Sequence, residues 1–465
     1  MKLRYNDPLV ANAICAFVVF CTVGMFSSVS NLGAGGTQSI TLSNISNAVL
    51  YAFFAFSGLF SGAVNNVLGL RVTLFIGSLG YALYLASLWV YQEKSVDWFL
   101  VFSGGVLGIC AAFLWTAQGV VMLSYPEEKH KGRAFSTFWV IFNCGSLMGS
   151  LIALGINLKQ GGLDAVKTST YIAFFAIIMV GVALTWAVPP PQRIVRGDGT
   201  LVQVQKANGP KQEALALFRT LRDKRILLLL PMFFASNFFY TYQGSFAFKV
   251  FDAPARSVNA VIKSVGQIIG AIIIGFLVDK LPMKRRNRGI VGLAVTAVTI
   301  IISYSWGIKY QRPITRATVW PHKINYSDSA FAEPISILIL YDLGDAFYQG
   351  MAYFVMGAIT NDPYELARFA GLYKAVQSFG SAIAFVLDAV QISYMSEIGT
   401  VFGLLLFSMP FTLYVIMGIE DTNYEKEGVV YAEDLKNPVP ALESGVEAGN
   451  PHMERQPSDL SEKKM

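Results

Sequence analysis

The 465-residue sequence is poor in charge, since only 14% of its residues are Asp, Glu, Lys or Arg, whereas about 25% is usual for soluble globular proteins. It contains only three histidines, and none of them has a companion residue that would complete a metal site. The four cysteines all lie in apolar segments, where cysteine acts as a small hydrophobic residue. These shortages exclude a zinc site and a disulfide framework.

The sequence also lacks the short motifs of common enzyme classes. It has no H-E-x-x-H helix, no P-loop and no G-x-S-x-G turn. Residues 33–36 are rich in glycine, as phosphate-binding loops are, but no strand precedes them, so they indicate a turn that ends a helix. We expect no enzyme activity, no cofactor and no metal. The net charge of +6 comes from loops, so no nucleic-acid partner is expected either.

Long apolar segments are abundant, because 54% of the residues are hydrophobic. Several segments exceed the roughly 18–20 residues that are needed to cross a bilayer. The sequence therefore predicts an all-α polytopic membrane protein whose main partner is the lipid bilayer. We predict twelve spans, at residues 9–32, 47–66, 72–92, 97–122, 134–157, 169–188, 225–248, 257–278, 289–308, 333–357, 366–388 and 398–418.

A polar segment divides these spans into two sets of six. It begins with three prolines and contains Gly197-Asp198-Gly199, which is typical of a flexible linker. Its end, residues 213–225, has helical spacing and predicts either a short helix on the membrane surface or an extension of the seventh span. We predict an N-terminal bundle at 1–188, a cytoplasmic linker at 189–224, a C-terminal bundle at 225–418 and a disordered cytoplasmic tail at 419–465.

The placement of lysine and arginine predicts the orientation. Most of them lie in the connections on the same side as the two termini and the linker, which places both termini in the cytoplasm. Two sequons, at Asn44 and Asn325, fall on the opposite side in this topology. Both asparagines are therefore glycosylation candidates.

A weak internal repeat follows the second and the eighth span. Each copy begins with a glycine, has a polar residue four positions later and continues into cations at a cytoplasmic turn. The residues of the two copies are Gly62, Asn66, Gly69 and Arg71, and Gly275, Asp279 and Arg285. The pattern resembles the G-x-x-x-D-x-x-G-R loop of the major facilitator superfamily, which closes an inner gate. Asn66 stands where that motif has an aspartate, so a charged latch becomes a neutral hydrogen bond.

Ionisable and amide side chains lie inside the predicted spans of the second half. Asp342 and Asp345 are three residues apart and share a helix face. A charge at this depth costs about 2.5–3.5 kcal/mol on insertion scales and normally faces a cavity with a partner. We expect an Asp345–Lys374 ion pair and an Asp342–Lys263 ion pair, which serve either a polar site and proton relay or a static cluster. The candidate site comprises Lys263, Asp342, Asp345, Gln349, Lys374, Gln377, Asn237, Tyr240, Gln243 and Gln118.

Four further segments carry a family resemblance, namely residues 24–38, LGICAAFLWTAQG at 107–119, SNFFYTYQ at 236–243 and RFAGLYKAVQSFG at 368–380. Together they resemble the fungal and plant form of the Unc-ninety-three-like family, a branch of the major facilitator superfamily. The resemblance covers nearly all of residues 1–420. It implies two six-helix bundles around a central cavity. Animal members of the family act as a regulatory subunit of potassium channels or as an escort for other membrane proteins.

Two functions of different class follow from these observations. The first is a transporter that moves a small polar or ionic solute by alternating access, with or without proton coupling. The second is a non-transporting regulator or trafficking partner of another membrane protein or ion channel.

Overall fold

The computed structural model describes residues 4–31, 40–159, 168–202, 209–318 and 322–427. Within these ranges the chain is helical, and only isolated bridges, such as that between Val195 and Leu201, have β character. The predicted turn at 33–36 and most of the predicted tail lie outside the described residues.

Within the described residues, the first half of the chain contains seven α-helices. Helix α1 (Pro8–Val19) continues through a π-helical turn (Phe20–Gly24) into α2 (Met25–Asn31). The helices that follow are α3 (Ile40–Leu68), α4 (Leu70–Lys94), α5 (Asp97–Ser124), α6 (Lys131–Lys159) and α7 (Thr168–Leu184).

The second half begins with a short linker helix. Its helices are α8 (Pro210–Thr220), α9 (Lys224–Ala235), α10 (Phe239–Val250), α11 (Ala253–Lys280), α12 (Arg285–Gln311), α13 (Ala332–Ile359), α14 (Pro363–Ala389), α15 (Tyr394–Met417) and α16 (Tyr424–Glu427).

Eleven helical stretches within the described residues are long and apolar enough to cross a membrane. They coincide with eleven of the twelve predicted spans, and the protein is a multi-pass integral membrane protein. The remaining prediction, at 333–357, falls on α13, which has 28 residues. Helix α13 carries Asp342 and Asp345 and is buried along most of its length.

Local sequence signals explain where the long helices begin and end. Asp252 accepts the backbone N–H of Ala255 at 2.8 Å and starts α11, and Asp362 starts α14 by accepting the N–H of Tyr364 at 2.7 Å. Such caps satisfy donors that the first helical turn leaves free. Between α3 and α4, Gly69 has a φ of +83°, which other residues adopt only with strain.

Two close helix contacts join the first half of the chain to the second. Helix α3 packs on α14, and α6 packs on α11. A Cβ atom at Gly62 of α3 would lie 2.6 Å from the carbonyl oxygen of Ala367 in α14. At Gly275 of α11, a Cβ would clash with the hydroxyl of Ser136 in α6. Both contacts therefore depend on glycine, as close packing of membrane helices commonly does.

The linker differs from its prediction as a flexible segment. Arg196 is buried, and its guanidinium donates to the carbonyl oxygen of Ser124 at 2.7 Å. Gly199 has a φ of +84° in a tight turn between Val195 and Leu201. Residues 189–202 are thus docked on the helices, because a buried arginine with a backbone acceptor fixes the turn.

Helix α8 decides between the two predictions for residues 213–225, a short separate helix and an extension of the seventh span. A short turn separates it from α9, so it is an independent helix rather than an extension of the seventh span. Leu215 and Phe218 are 60% and 56% exposed, whereas Glu213 is fully buried. The helix turns its acid toward the protein and an apolar face outward, as helices in a membrane interface do.

The interior of the seventh span and the start of the tail differ from their predictions, although the bounds of that span agree with the apolar stretch Lys224–Val250. The seventh span is interrupted, since α9 ends at Ala235 and α10 begins at Phe239. The predicted disordered tail is ordered as far as Glu427, whose carboxylate accepts the N–H of Asn361 at 2.8 Å. The polar composition of this stretch reflects docking onto helix ends rather than solvation.

Candidate functional site

A cavity of about 530 Å³ lies between the two halves of the chain. Its wall from the first half has no charged residue and combines aromatic rings, such as Tyr51, Trp115 and Phe142, with serine and asparagine side chains, such as Ser43 and Asn143. Its wall from the second half is mainly polar and charged, and includes Asn237, Asn259, Lys263, Asp342, Lys374 and Gln377. The cavity thus has two chemically different sides.

Asp345 lies behind the polar wall and is 3% exposed. One carboxylate oxygen accepts the Tyr240 hydroxyl at 2.6 Å and the Gln267 amide at 2.5 Å. The other oxygen accepts the Gln349 amide at 2.7 Å. Three donors from α10, α11 and α13 therefore surround one buried acid, and such charge-assisted hydrogen bonds are among the stronger ones in proteins.

A residue of the first half supports this arrangement. The indole N–H of Trp139 in α6 donates to the Gln267 side-chain oxygen at 2.9 Å. This contact orients the Gln267 amide so that its nitrogen points at Asp345. Our sequence analysis did not include Trp139 in the site, because an aromatic residue in an apolar helix gives no signal that distinguishes a hydrogen-bonding role from packing.

Lys374 lies on the same wall and is 3% exposed. Its ammonium group donates to the Gln377 side-chain oxygen at 2.8 Å. It also lies 4.4 Å from the ring centre of Trp115, 4.9 Å from that of Tyr373 and 5.6 Å from that of Tyr353. Ring faces attract a cation at these distances, and the attraction grows when water is excluded.

The predicted Asp345–Lys374 ion pair is wrong. The ion pairs formed within the described residues include none between these two side chains. Two amides stand between them instead. The Gln377 amide nitrogen donates to the Gln349 oxygen at 3.4 Å, and Gln349 donates to Asp345. The acid and the base are therefore joined through a chain of two glutamines, which satisfies each without direct contact.

The predicted Asp342–Lys263 ion pair is also wrong, although both residues line the cavity. The Lys263 ammonium lies 4.8 Å from the ring centre of Tyr240. Asp342 is 4% exposed, and its carboxylate makes no hydrogen bond to the described part of the chain. Helix α11 comes close to it at Gly266, where a Cβ would lie 3.0 Å from the Cβ of Asp342.

Only some of the remaining predicted site residues line the cavity. Asn237 and Gln243 line the cavity, and the Asn237 side-chain oxygen is buried without a hydrogen-bond partner among the described residues. Gln118 is fully buried outside the cavity lining, and its amide donates to the Met122 sulfur at 3.4 Å. Trp115 lines the cavity, and the ammonium group of Lys374 lies over its ring.

At the end of the helices nearest the linker, Asn66 joins α3 to the second half. Its amide donates to Glu213 of α8 at 2.9 Å and to the backbone oxygen of Tyr364 at 3.2 Å. Glu213 in turn forms an ion pair with Arg368 of α14 at 3.0 Å. The linker helix therefore supplies an acid next to the position where the loop motif lacks one.

The second motif copy forms a matching bridge. The two carboxylate oxygens of Asp279 accept the backbone N–H groups of Gly132 at 2.9 Å and Arg133 at 2.6 Å, at the start of α6. A helix N-terminus favours a negative charge, so this contact is electrostatically favourable. Arg285 is buried and donates to the Gly357 oxygen at 3.0 Å.

Lys131 adds a third bridge at this end of the molecule. Its ammonium donates to the Gly357 oxygen at 2.6 Å and to the Asn361 side-chain oxygen at 2.7 Å. By contrast, Arg71 stays within the first half, where it donates to the Val188 oxygen at 2.8 Å. Contacts between the halves thus concentrate at the linker end, which we call the linker face.

The other end of the cavity carries an ion cluster. Arg316 pairs with Asp388 at 2.6 Å and with Glu397 at 2.5 Å, and its guanidinium lies 4.0 Å from the ring centre of Tyr394. The Asn44 amide reaches Asp388 at 3.4 Å from within α3. Because glycosylation sites lie in accessible surface loops, a helical residue that lines the cavity is a poor acceptor.

Asn325 lies in the connection before α13. Its side-chain nitrogen donates to Asp252 at 2.7 Å, and its oxygen accepts the Ser327 hydroxyl at 2.8 Å. Of the two sequons, only this one lies outside a helix. Its glycosylation stays a prediction.

The fold defines the class of the protein, which is a membrane protein with the fold of major facilitator transporters. The transporter FucP in its outward conformation has a TM-score of 0.62 and 13% identity to this chain, over 90% of this chain and 100% of FucP. The human organic anion transporter MFSD10 has a TM-score of 0.63 and 11% identity, over 87% of this chain and 99% of MFSD10. Identity this low shows the fold alone.

The sequence comparison identifies the family. The family model described as ion channel regulatory protein UNC-93 matches residues 43–411. UNC93-like protein 1 of Arabidopsis thaliana is 35% identical over 418 residues, 89% of this chain and 91% of that protein. An UNC93-like protein of Schizosaccharomyces pombe is 34% identical over 455 residues, 97% of this chain and 88% of that protein. The chain belongs to the UNC-93 family, and the resemblance inferred from its sequence is confirmed.

Proposed function

We propose that this protein is a major-facilitator-type transporter that moves a small polar or ionic solute by alternating access. In this proposal α13 is the twelfth span, and residues 1–188 and 225–418 form two six-helix bundles. Residues 189–224 connect them on the cytoplasmic side, together with both termini, in agreement with the placement of lysine and arginine. The cavity between the bundles is the solute site.

The observation that carries the proposal is the polar network from Lys374 to Asp345. It buries a base and an acid beside the cavity and links them through Gln377 and Gln349. Ionisable groups within a membrane protein are costly and mark solute or proton pathways. A static cluster would more simply join the two charges directly. A chain of amides instead lets each charge respond separately to a solute or a proton.

The distribution of contacts supports alternating access. At the linker face, Glu213, Asp279 and Lys131 tie the two halves together. The cavity lining extends in the opposite direction, as far as Asn44 and the exposed Gln391. We therefore infer a state that is closed at the cytoplasmic side and open at the other. Transport requires that these bridges break while the opposite end closes.

A solute-uptake screen tests the proposal. Cells that overproduce the protein are compared with cells that lack it, and with cells that overproduce Asp345→Asn at an equal level in the membrane. At least one small polar solute should accumulate differently, and Asp345→Asn should abolish the difference. Uptake that is equal for all three cell types over a broad panel of solutes would overturn the proposal.

The family description supports a second candidate function, a non-transporting regulator of another membrane protein. A regulator should copurify with a partner and should tolerate neutral substitutions of Asp345 and Lys374 together. A transporter should lose its activity in that double variant while remaining folded. Affinity purification combined with the uptake assay separates the two functions.

A further inference from the structure

The charged side chains that line the cavity fall into two groups. Arg316 and Asp388 are paired with each other, Lys374 is held by Gln377 and three aromatic rings, and Arg256 lies over the ring of Phe248. Asp342 and Lys263 are different, because neither forms an ion pair or a hydrogen bond within the described part of the chain. One acid and one base therefore face the same space while remaining apart.

Neutral polar groups around these two residues are also unpartnered. The side-chain oxygens of Asn259 and Asn237 are buried, line the cavity and have no hydrogen-bond partner in the described residues. An unpaired buried oxygen costs about 1–3 kcal/mol in protein measurements. Both oxygens can accept an N–H or O–H group of a molecule in the cavity. The polar wall thus offers an acid, a base and two free acceptors.

The opposite wall, from the first half, has no charged residue, and aromatic rings line it together with serine and asparagine side chains. Tyr51 of α3 stacks at 5.5 Å on Phe385 of α14, which belongs to the second half, and Trp115 and Phe142 meet edge to face at 5.7 Å. Trp139 continues this surface at 5.7 Å from Phe142. Rings packed edge to face in this way form a contiguous apolar patch within the wall. An aliphatic or aromatic group fits against them better than a hydrated ion does.

We infer that the solute is an amphipathic zwitterion of amino-acid size. Its cationic group lies at Asp342, its anionic group lies at Lys263, and its apolar body lies against the aromatic wall. The inference rests on the proposed function, since it identifies the class of solute that the cavity carries. A cavity of about 530 Å³ is within the range of roughly 300–1,000 Å³ that is usual for small-molecule sites.

Other solute classes fit the cavity less well. A bare metal cation requires a shell of several oxygen ligands, whereas Lys263 would repel it from the neighbourhood of Asp342. An inorganic anion would meet Asp342 in the same way and would leave the aromatic wall without a partner. A sugar could use the free oxygens and the rings but would leave both charges unpaired, which becomes unfavourable when the cavity closes around the solute and excludes water.

Matched ligands test the inference on the purified full-length protein. Binding by thermal shift and calorimetry is measured for phenylalanine, for phenethylamine, which lacks the carboxylate, and for 3-phenylpropionate, which lacks the ammonium group. Leucine, isoamylamine and 4-methylvalerate form a second series with an aliphatic body. In at least one series the zwitterion should bind ten times more tightly than both of its single-charge analogues.

Two variants assign the charges. Asp342→Asn should remove the preference for the zwitterion over the acid analogue, and Lys263→Gln should remove its preference over the amine analogue. Lys309→Gln, which changes an exposed lysine of α12, should leave both preferences unchanged. The inference is wrong if the unaltered protein prefers the zwitterion in neither series. It is also wrong if Asp342→Asn removes the preference over the amine analogue while Lys263→Gln removes the preference over the acid analogue.

The outcomes separate this inference from the proposed function. Uptake of a sugar or a metal cation, with no zwitterion preference, would overturn the inference and leave transport standing. Zwitterion binding with the expected charge assignment, but without movement of the ligand into proteoliposomes, would support the solute class and contradict transport.

Discussion

Glu213 in the linker helix α8 and Arg368 at the start of α14 form an ion pair at 3.0 Å, and Glu213 is fully buried. The same carboxylate accepts the Asn66 amide of α3 at 2.9 Å. One linker residue therefore connects both halves of the chain at the linker face. An acidic side chain therefore lies beside position 66, although that position itself is neutral.

The first prediction is that Glu213→Gln opens the linker face. The change leaves Arg368 buried without its counter-charge, and breaking a buried ion pair costs about 3–5 kcal/mol. This cost destabilises the closed state, so the equilibrium between the closed and the open linker face shifts toward the open form by a factor of about one hundred or more. Spin labels at Leu68 and Met283, which are 47% and 40% exposed at this face, should report a longer distance by electron resonance.

A reciprocal variant serves as the control for this prediction. Asn66→Asp combined with Glu213→Gln restores an acid at the motif position while keeping one amide opposite it. This double variant should return the label distance most of the way to that of the unaltered protein. An unchanged distance distribution in Glu213→Gln would show that the ion pair does not hold the gate.

The second prediction contrasts two aspartates that are three residues apart. Asp345→Asn places an N–H donor among the donors of Tyr240, Gln267 and Gln349, so it should lower stability by about 1–3 kcal/mol. Asp342→Asn breaks no hydrogen bond to the described residues and should unfold at an unchanged temperature. Thermal unfolding in detergent, together with uptake, distinguishes the two.

Both variants should reduce uptake, but only Asp345→Asn should reduce stability as well. This comparison distinguishes Asp345, which accepts hydrogen bonds from three side chains of the polar wall, from Asp342, which contacts the solute. Equal losses of stability would mean that Asp342 has a structural partner, and they would contradict its assignment as a solute contact.

The third prediction concerns Lys374, whose ammonium group lies against three aromatic rings. Lys374→Met keeps a long side chain against Trp115, Tyr353 and Tyr373 and removes a buried charge. Replacing buried charge by apolar groups of similar shape is often neutral or stabilising. The Gln377 oxygen loses its donor, so the variant should lose no more than about 1–3 kcal/mol of stability while losing uptake. Lys309→Met, at an exposed position of α12, should keep both properties, and normal uptake by Lys374→Met would refute the role of Lys374.

The positions of the helices could be predicted because apolar length alone determines most of them. Predicted spans such as 72–92 and 97–122 match α4 and α5 within a few residues. The spacing of Asp342 and Asp345 is also readable from sequence, since three residues are nearly one helical turn, and Asp342 lines the cavity while Asp345 lies behind it. Signals of this kind are local, and a single sequence is sufficient to identify them.

The partners of the charges could not be predicted, because they depend on which helices are neighbours. Lys374 meets Trp115 only because α14 packs on α5. Asp345 was the natural candidate partner, because it is the opposite charge at the most similar depth in the membrane. Instead, three aromatic rings and Gln377 contact the Lys374 ammonium group. Glu213 was overlooked for a similar reason, since an acid in a polar linker normally indicates solvent.

The fourth prediction uses two glycines whose surroundings differ. A Cβ at Gly62 would lie 2.6 Å from the Ala367 carbonyl oxygen, whereas nothing lies within 4 Å of one at Gly403 in α15. Gly62→Ala must therefore push α3 from α14, and overpacking of this kind typically costs about 1–3 kcal/mol. Gly403→Ala should be neutral or stabilise by up to about 1 kcal/mol, because alanine favours helix more than glycine does.

The labels at Leu68 and Met283 distinguish a gate contact from a simple packing contact. If the α3–α14 contact belongs to the gate, Gly62→Ala lengthens the distance between the labels as well as lowering the unfolding temperature, because the clash exists only while the linker face is closed. If the contact persists through the transport cycle, the unfolding temperature falls and the distance stays the same. That second outcome would confine the gate to the side-chain bridges of Glu213, Asp279 and Lys131.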